Sequence, residues 1–321
     1  MAELPQRVLV TGCAGFIGSH VAERLVQEGV RVIGVDNFDP YYDRQQKESH
    51  LAKLLRSPEF RFEDADIRNG EALLELLRSE PIEAVIHLAA RAGVRASIRD
   101  PETYFSINLS GTLQLLEAMR RAEVRQMVFG SSSSVYGRAP VPFSEEHPAD
   151  RPLQPYGASK RAAEILAHTY AHLYGMQITV TRFFSAYGPR LRPDLVIHKF
   201  ARLIARGEEV PILGDGTAAR DYTYIDDIVD GVIAALERPF RYEIINLGNS
   251  RTVPLNRVIE LLEQHLGRKA LRRYLPPNPG DMPITYADLS KAKRLLGYAP
   301  RVPFEEGIAR FVEWFKTLPL E

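Results

Sequence analysis

Short apolar or β-branched runs alternate with longer amphipathic stretches through the first half of the chain. The runs lie at 7–10, 30–35, 60–63, 84–88, 126–130 and 177–182, each bounded by turn-forming residues, which is the pattern of buried strands. Between them, 17–27, 71–78, 111–122 and 156–173 have the length and apolar spacing of helices. Such alternation predicts an α/β fold with a doubly wound parallel sheet and right-handed crossovers. After residue 183 the pattern changes. Pro189, Pro193, Pro211, Pro254 and the cluster PPNPGDMP break the chain into short elements, as in a smaller mixed α/β lobe. The expected division is a cofactor-binding domain from 1–183 plus 222–247 and a substrate-binding lobe from 184–221 plus 248–321. No internal repeat, low-complexity tract or flexible linker is visible in the sequence.

With 321 residues, 45% of them hydrophobic, the chain can bury a large core as one big domain or two closely joined ones. Its 41 basic and 41 acidic side chains balance, so no global field recruits nucleic acid or an anionic membrane surface. Any anion has to be met locally. No apolar run is long enough to span a bilayer, and the opening MAELPQRVLVTG lacks the charged and apolar regions of a secretion signal. The cytoplasm is the expected compartment. A single cysteine, Cys13, excludes an internal disulfide and a thiolate-rich metal site, and no metal is expected. In the glycine loop it reads as a small space-filling residue.

That loop, TGCAGFIG, follows the first strand and opens the first helix. Gly12, Gly15 and Gly18 let backbone amides at a helix N-terminus approach a pyrophosphate, with Phe16 and Ile17 beside them. Asp36 closes the second strand about 20 residues beyond the loop, where a carboxylate accepts bonds from the adenosine ribose and repels a 2′-phosphate. NAD, not NADP, is the expected cofactor. Further along, YGASK puts Tyr156 and Lys160 four residues apart on one helix face, so an ammonium stands on the phenol's side of the cofactor site. A nearby cation favours a phenolate, which turns a tyrosine into a base, and the lysine and an oxidised nicotinamide could both supply that charge.

These segments resemble the extended short-chain dehydrogenase/reductase family, specifically its nucleotide-sugar epimerases and dehydratases. Matching stretches run nearly end to end: TGCAGFIGSH, Asp66-Ile67, HLAARAGVR, GSSSSVYG, YGASK, RFFSAYGP, DGTAARDYTYIDD, NLGN and PGDMPITYADLSKAKRLLGY. The resemblance implies that Asp66 and Ile67 hold the adenine, that Leu88, Ala89 and Ala90 line the cofactor cleft, and that Lys160 bonds the nicotinamide ribose. Asn37 and Asn108 complete the cofactor set. Ser132 would share the substrate's O4 with Tyr156, although spacing alone separates it poorly from Ser131, Ser133 and Ser134. In the family's 4,6-dehydratases an acid pair follows the catalytic hydroxyl, whereas here those places are Ser133 and Ser134; decarboxylases of the family carry glutamate where Ser134 stands. The site can oxidise and re-reduce but lacks the groups for elimination. Epimerisation is the expected outcome.

Arg190 and Arg192, in the proline-bounded segment RFFSAYGPRLRPDL, follow the sixth strand, and a guanidinium grips a carboxylate with two parallel bonds that a neutral hexose does not need. The segment resembles that of UDP-glucuronate 4-epimerases, which makes Arg192 the choice for a sugar carboxylate, with Ser185 and Tyr187 nearby and Arg95 a second cation. By the same resemblance Arg220 meets the diphosphate, Lys199, Val210 and Ile212 surround the uracil, and Asp281 touches the nucleotide. Asn278 stands where the UDP-galactose epimerase pattern has arginine. A neutral UDP-hexose epimerase, a UDP-glucuronate decarboxylase and an NAD sensor without turnover are the competing expectations; Ser132, Tyr156 and Lys160 together argue against the sensor. The family also implies a homodimer paired through two long helices, with Ala163, Leu166, Ala167 and Tyr170 as the facing residues.

Overall fold

The structure, a computed structural model, describes residues 4–277 and 282–319. Asn278 and Asp281 lie outside the described residues. The first half alternates as the pattern implies: β1 (Arg7–Thr11), α1 (Phe16–Gln27), β2 (Arg31–Asp36), α2 (Arg44–Leu51), β3 (Phe60–Asp64), α3 (Gly70–Ser79), β4 (Ala84–His87), α4 (Val94–Arg99), α5 (Pro101–Phe105), α6 (Thr112–Arg121), β5 (Gln126–Ser132), α7 (Pro155–Tyr174) and β6 (Gln177–Phe183). Then come β7 (Ser185–Tyr187), α8 (Val196–Arg206), β8 (Glu209–Leu213), β9 (Ala219–Tyr224), α9 (Ile225–Glu237), β10 (Tyr242–Leu247), β11 (Thr252–Pro254), α10 (Leu255–Leu266), β12 (Leu271–Leu275), β13 (Ile284–Thr285), α11 (Ser290–Leu296) and α12 (Phe304–Phe315).

Among the described residues the main sheet has seven strands in the order β10-β6-β5-β4-β1-β2-β3, all parallel. Both faces are covered. Within β1, Val8 and Val10 enter one hydrophobic cluster and Leu9 the other, the two-residue period of a strand buried on both sides. Each such side chain contributes about 1.5–3 kcal/mol when fully buried. The seventh strand, β10, falls outside the six runs read from the sequence: YEIINL begins with tyrosine and glutamate and carries Asn246 at its buried end. Pro155 at the start of α7 and Gly175 (φ 64°) just past its end mark that helix's limits. The stretch read as one helix from 111 instead begins as a π-helical turn, Ser106–Gly111, that runs into α6.

Later strands form two small sheets, β9 with β7, β11 and β13, and β8 with β12. They are not loosely hung. One hydrophobic cluster runs from Val8 and Val10 through Ile228 and Val232 of α9 to Ile197 and Phe200 of α8, and it fixes the small sheets over one end of the large one. Strand order reverses between β1 and β4, so their carboxyl ends open the crevice in which such sheets take ligands. Among the described residues no helix is long and apolar enough to cross a membrane.

Candidate active site

The crevice widens into one cleft of about 1210 Å³ that runs from the glycine loop to the small sheets. Gly12 (φ 74°) takes a turn that L side chains rarely adopt, and a Cβ there would stand 2.7 Å from the Ala89 backbone. A Cβ at Gly15 would meet only the Gly12 carbonyl, at 3.1 Å, which leaves the approach to the α1 N-terminus clear. Among the described residues no side chain caps that helix end, which leaves its amides open to an anion. Asp36 receives the Ala14 and Phe38 amides at 3.1 and 2.8 Å and faces the cleft. Burial raises its pKa, and the Lys47 charge opposes that rise. Asn37 donates to Asp66 at 3.0 Å, and Arg68 forks onto the same carboxylate, holding its pKa down. Gly12, Gly15, Phe16, Ile17, Gly18, Asp36, Asn37, Asp66, Ile67, Leu88, Ala89 and Ala90 all line the cleft. These residues fit a dinucleotide: open amides for its pyrophosphate and a carboxylate for an unphosphorylated ribose.

Asn108 does not line it. Buried in the π-helical turn, its side chain bonds the Arg91 backbone through both ends and donates to Ser159, whose hydroxyl bonds the Tyr156 carbonyl. It ties the loop after β4 to α7.

At the cleft's centre the serine run divides. The Ser131 hydroxyl turns into the core and donates to Glu164 at 2.6 Å. Ser132 bonds the Tyr156 phenol, and that bond with the Arg192 charge pulls the phenol's pKa down against burial, which wins and raises it. Here the expectation needs correcting. Lys160 is not among the influences on the phenol, and the protein alone makes Tyr156 a weaker acid, not a stronger one. Lys160 lies above the Phe129 ring at 4.6 Å, and burial lowers its pKa to about 8 while Glu164, one turn on, raises it. Tyr104 packs edge-on against Tyr156 at 6.1 Å between centroids.

The two candidate arginines separate. Arg190 (φ 64°) leaves the cleft and bonds Glu23 of α1 at 2.7 Å, whereas Arg192 lines the cleft and acts on Tyr156. Arg192 is already gripped by Asp194, through Nε at 2.9 Å and Nη2 at 2.7 Å. Ser133, Ser134, Ser185, Arg95, Lys199 and Arg220 line the cleft with it. Arg220 bonds backbone carbonyls of Ala219 and Pro283, neither of which cancels its charge. Tyr187 also touches the cleft, but its hydroxyl points to the Phe304 carbonyl at 3.3 Å and its ring packs among Tyr222, Tyr224 and Phe304. Val210 and Ile212 are corrected outright: both are fully buried, and Pro211 and Leu213 face the cleft instead. The period of two in β8 puts neighbours on opposite faces. Sequence reading also missed Tyr41, Lys47, Arg91 and Asp194 on the cleft wall. Asp194 stands two residues from Arg192, and that spacing was the available signal.

A dinucleotide crevice opening beside a serine–tyrosine–lysine cluster defines a Rossmann-type enzyme of the extended short-chain dehydrogenase/reductase class. The chain belongs to the NAD dependent epimerase/dehydratase family, whose model matches residues 8–248. It is 48% identical to a UDP-glucuronate 4-epimerase of Thermodesulfobacterium geofontis, over 96% of this chain and 95% of that one. Among solved structures, the UDP-glucuronic acid 4-epimerase of Bacillus cereus in complex with UDP-glucuronic acid and NAD superposes with a TM-score of 0.91 at 37% identity, over 97% of this chain and 99% of that one. The UDP-glucose 4-epimerase of Thermotoga maritima with UDP-glucose gives 0.88 at 35% identity, over 97% and 98%.

Proposed function

We propose that this chain interconverts UDP-glucuronate and UDP-galacturonate by NAD-dependent inversion at C4, through a 4-keto sugar and without loss of carbon dioxide. One arrangement carries the reading: Ser132, Tyr156 and Arg192 line the same cleft, with the Ser132 hydroxyl bonded to the phenol. A hydroxyl there suits any sugar, whereas a fixed cation beside it suits an acid. The Thermodesulfobacterium and Bacillus relatives described above support the same substrate.

Tyr156 takes the O4 proton, and Ser132 steadies the oxygen that loses it. Bound NAD would supply the hydride acceptor and, while oxidised, a positive charge that favours the phenolate. Lys160 holds the ribose. Once C4 is a carbonyl, the sugar acid is a β-keto acid and loses carbon dioxide when its carboxylate bond aligns with the carbonyl π system. Arg192, with the hydroxyls of Ser133, Ser134 and Ser185, holds the carboxylate away from that alignment. Rotation about the bonds to the diphosphate presents the other face, which would take the hydride back from the bound cofactor as Tyr156 returns the proton. Arg220 meets the diphosphate end and Arg95 offers a second cation for the carboxylate, while Pro211 and Leu213 flank the base near Lys199. In this scheme 1–183 plus 222–247 bind the cofactor, and the remainder binds the UDP-sugar.

Purified, NAD-loaded protein given UDP-glucuronate, UDP-glucose and UDP-N-acetylglucosamine separately should epimerise the first fastest, with products resolved by chromatography. A pentose nucleotide or a preference for a neutral sugar overturns the proposal. Tyr156→Phe should lower kcat on the order of 10²–10⁴-fold; turnover at the parent rate would remove the base from the scheme. The neutral-sugar reading has one observation in its favour, the occupation of the Arg192 fork by Asp194.

The reading extends to a cytoplasmic homodimer. Ala163, Ala167 and Tyr170 cannot supply its interface, because they are buried in the cluster beneath the sheet, with Leu166 packed against it. Leu113 on α6 and Ile165, Leu173 and Tyr174 on α7 are exposed apolar residues on the same two helices. A monomer by light scattering at micromolar concentration would refute the assembly.

A further inference from the structure

The Arg192 fork is filled by a group of the same chemistry as its proposed substrate. Asp194 places Oδ1 at 2.9 Å from Nε and Oδ2 at 2.7 Å from Nη2, the two-point grip that a sugar carboxylate would make. Nη2 also reaches the Ala92 carbonyl at 3.4 Å. Tyr41 completes the arrangement: its hydroxyl donates to Asp194 Oδ2 at 3.2 Å, and its ring lies 5.3 Å from the Arg192 guanidinium and 4.9 Å from that of Arg91. Arg91 in turn is held by both oxygens of Asp39, at 2.7 and 2.9 Å. The Asp194 side chain is 34% exposed and that of Arg192 16%, and both stand on the cleft wall. Released from the arginine, Asp194 meets water, so parting the pair leaves no charge stranded in the core.

We propose that Asp194 is a specificity-determining exchange partner for Arg192, occupying the guanidinium when no acid is bound, yielding it to the carboxylate of an incoming sugar acid, and reclaiming it while the ring turns over. This rests on the reading that Arg192 receives the sugar carboxylate. The reaction supplies the need for exchange, since a sugar that must present both faces to one cofactor cannot stay pinned by Arg192 throughout. The hydroxyls of Ser133, Ser134 and Ser185, which also line the cleft, keep the carboxylate out of alignment while the guanidinium is away. A tethered aspartate two residues away takes back the fork at high effective concentration. It also screens the cleft. A neutral UDP-hexose brings nothing to displace Asp194, so the cation stays compensated and gives that sugar no advantage.

The test uses the full chain loaded with NAD. Binding is measured by calorimetry in a Tyr156→Phe background, so that no turnover occurs, and kcat and KM are measured in the parent background. Asp194→Asn should tighten UDP-glucuronate binding on the order of tenfold, as expected for a charge-assisted bond relieved of its competitor. It should lower kcat in the same protein and leave UDP-glucose binding unchanged. Asp194→Glu restores the charge and should return binding to within about twofold of the parent. Unchanged or weaker binding of the acid in Asp194→Asn, or an equal change for both sugars, overturns the exchange. Arg192→Ala separates the two levels. If it weakens binding of the acid alone while Asp194→Asn has no effect, the exchange fails and the carboxylate reading stands; if it leaves binding of the acid untouched, both fail.

Discussion

Arg182 and Arg192 are each gripped by both oxygens of one carboxylate, and their surroundings make them different devices. Arg182 of β6 bonds Glu164 of α7 at 3.0 and 2.7 Å with side chains only 2% and 0% exposed. Arg192 bonds Asp194 at almost the same distances, but that pair opens onto the cleft. In the closed pair Glu164 also accepts from Ser131 and Arg161, and Arg182 stacks on Tyr136, so the unit pins α7 to the ends of β5 and β6. No solvent stands ready to replace a lost partner there. Geometry makes the ion pair, and access to water decides whether it is permanent or exchangeable.

Removing one partner tests the contrast most severely. Glu164→Ala strands a guanidinium in the core and should cost about 3–5 kcal/mol in urea unfolding, whereas Asp194→Ala should cost about 1 kcal/mol or less. Equal losses would break the comparison. In catalysis the order reverses by site: Arg192→Ala should lower kcat/KM for UDP-glucuronate about 10–100-fold, as expected for a charge-assisted contact to substrate, with the melting temperature nearly unmoved. A fall of the same size for UDP-glucose would reduce Arg192 to a structural role.

The difference between these pairs also marks the limit of sequence reading. The glycine loop, Asp36, Tyr156 and Lys160 were legible because their chemistry depends on local spacing, a turn into a helix or four residues along one. Both of the arginine's alternatives were visible in RLRPDL, yet nothing in that string says that Arg190 crosses to Glu23 and Arg192 does not. Tyr41 meets Asp194 across 153 residues, and Ser131 meets Glu164 across 33, separations to which no periodicity applies. Val210 and Ile212 were misplaced for a simpler reason: in a short strand with apolar residues on both faces, composition does not tell the core side from the cleft side. The influence expected of Lys160 on Tyr156 was misjudged because spacing reports neighbours and not burial, and in the protein without its cofactor burial is the larger influence.

A smaller effect sharpens the contrast through pH. Lys160 titrates at about 8, down from 10.5, because burial disfavours its charge, and Glu164 is the one influence holding it up. If the ammonium is the form that holds the ribose, NAD affinity and kcat/KM should fall as pH rises through about 8. Folding is linked to the same proton with the opposite sign. Between about 8 and 10.5 the unfolded chain keeps a proton that the folded chain has lost, so this group's contribution to stability rises with pH across that window and is least favourable below it. Glu164→Gln keeps an acceptor for Arg182 but removes the charge that supports Lys160, so the alkaline limb should move to lower pH. Asp194→Asn should leave the limb in place, because Asp194 is not among the influences on Lys160. Calorimetric titration of NAD from pH 6 to 10 in the parent and both variants reads the limb without turnover. A limb that moves with Asp194 and stays with Glu164 would mean that the open pair, and not the closed one, sets the charge state of Lys160.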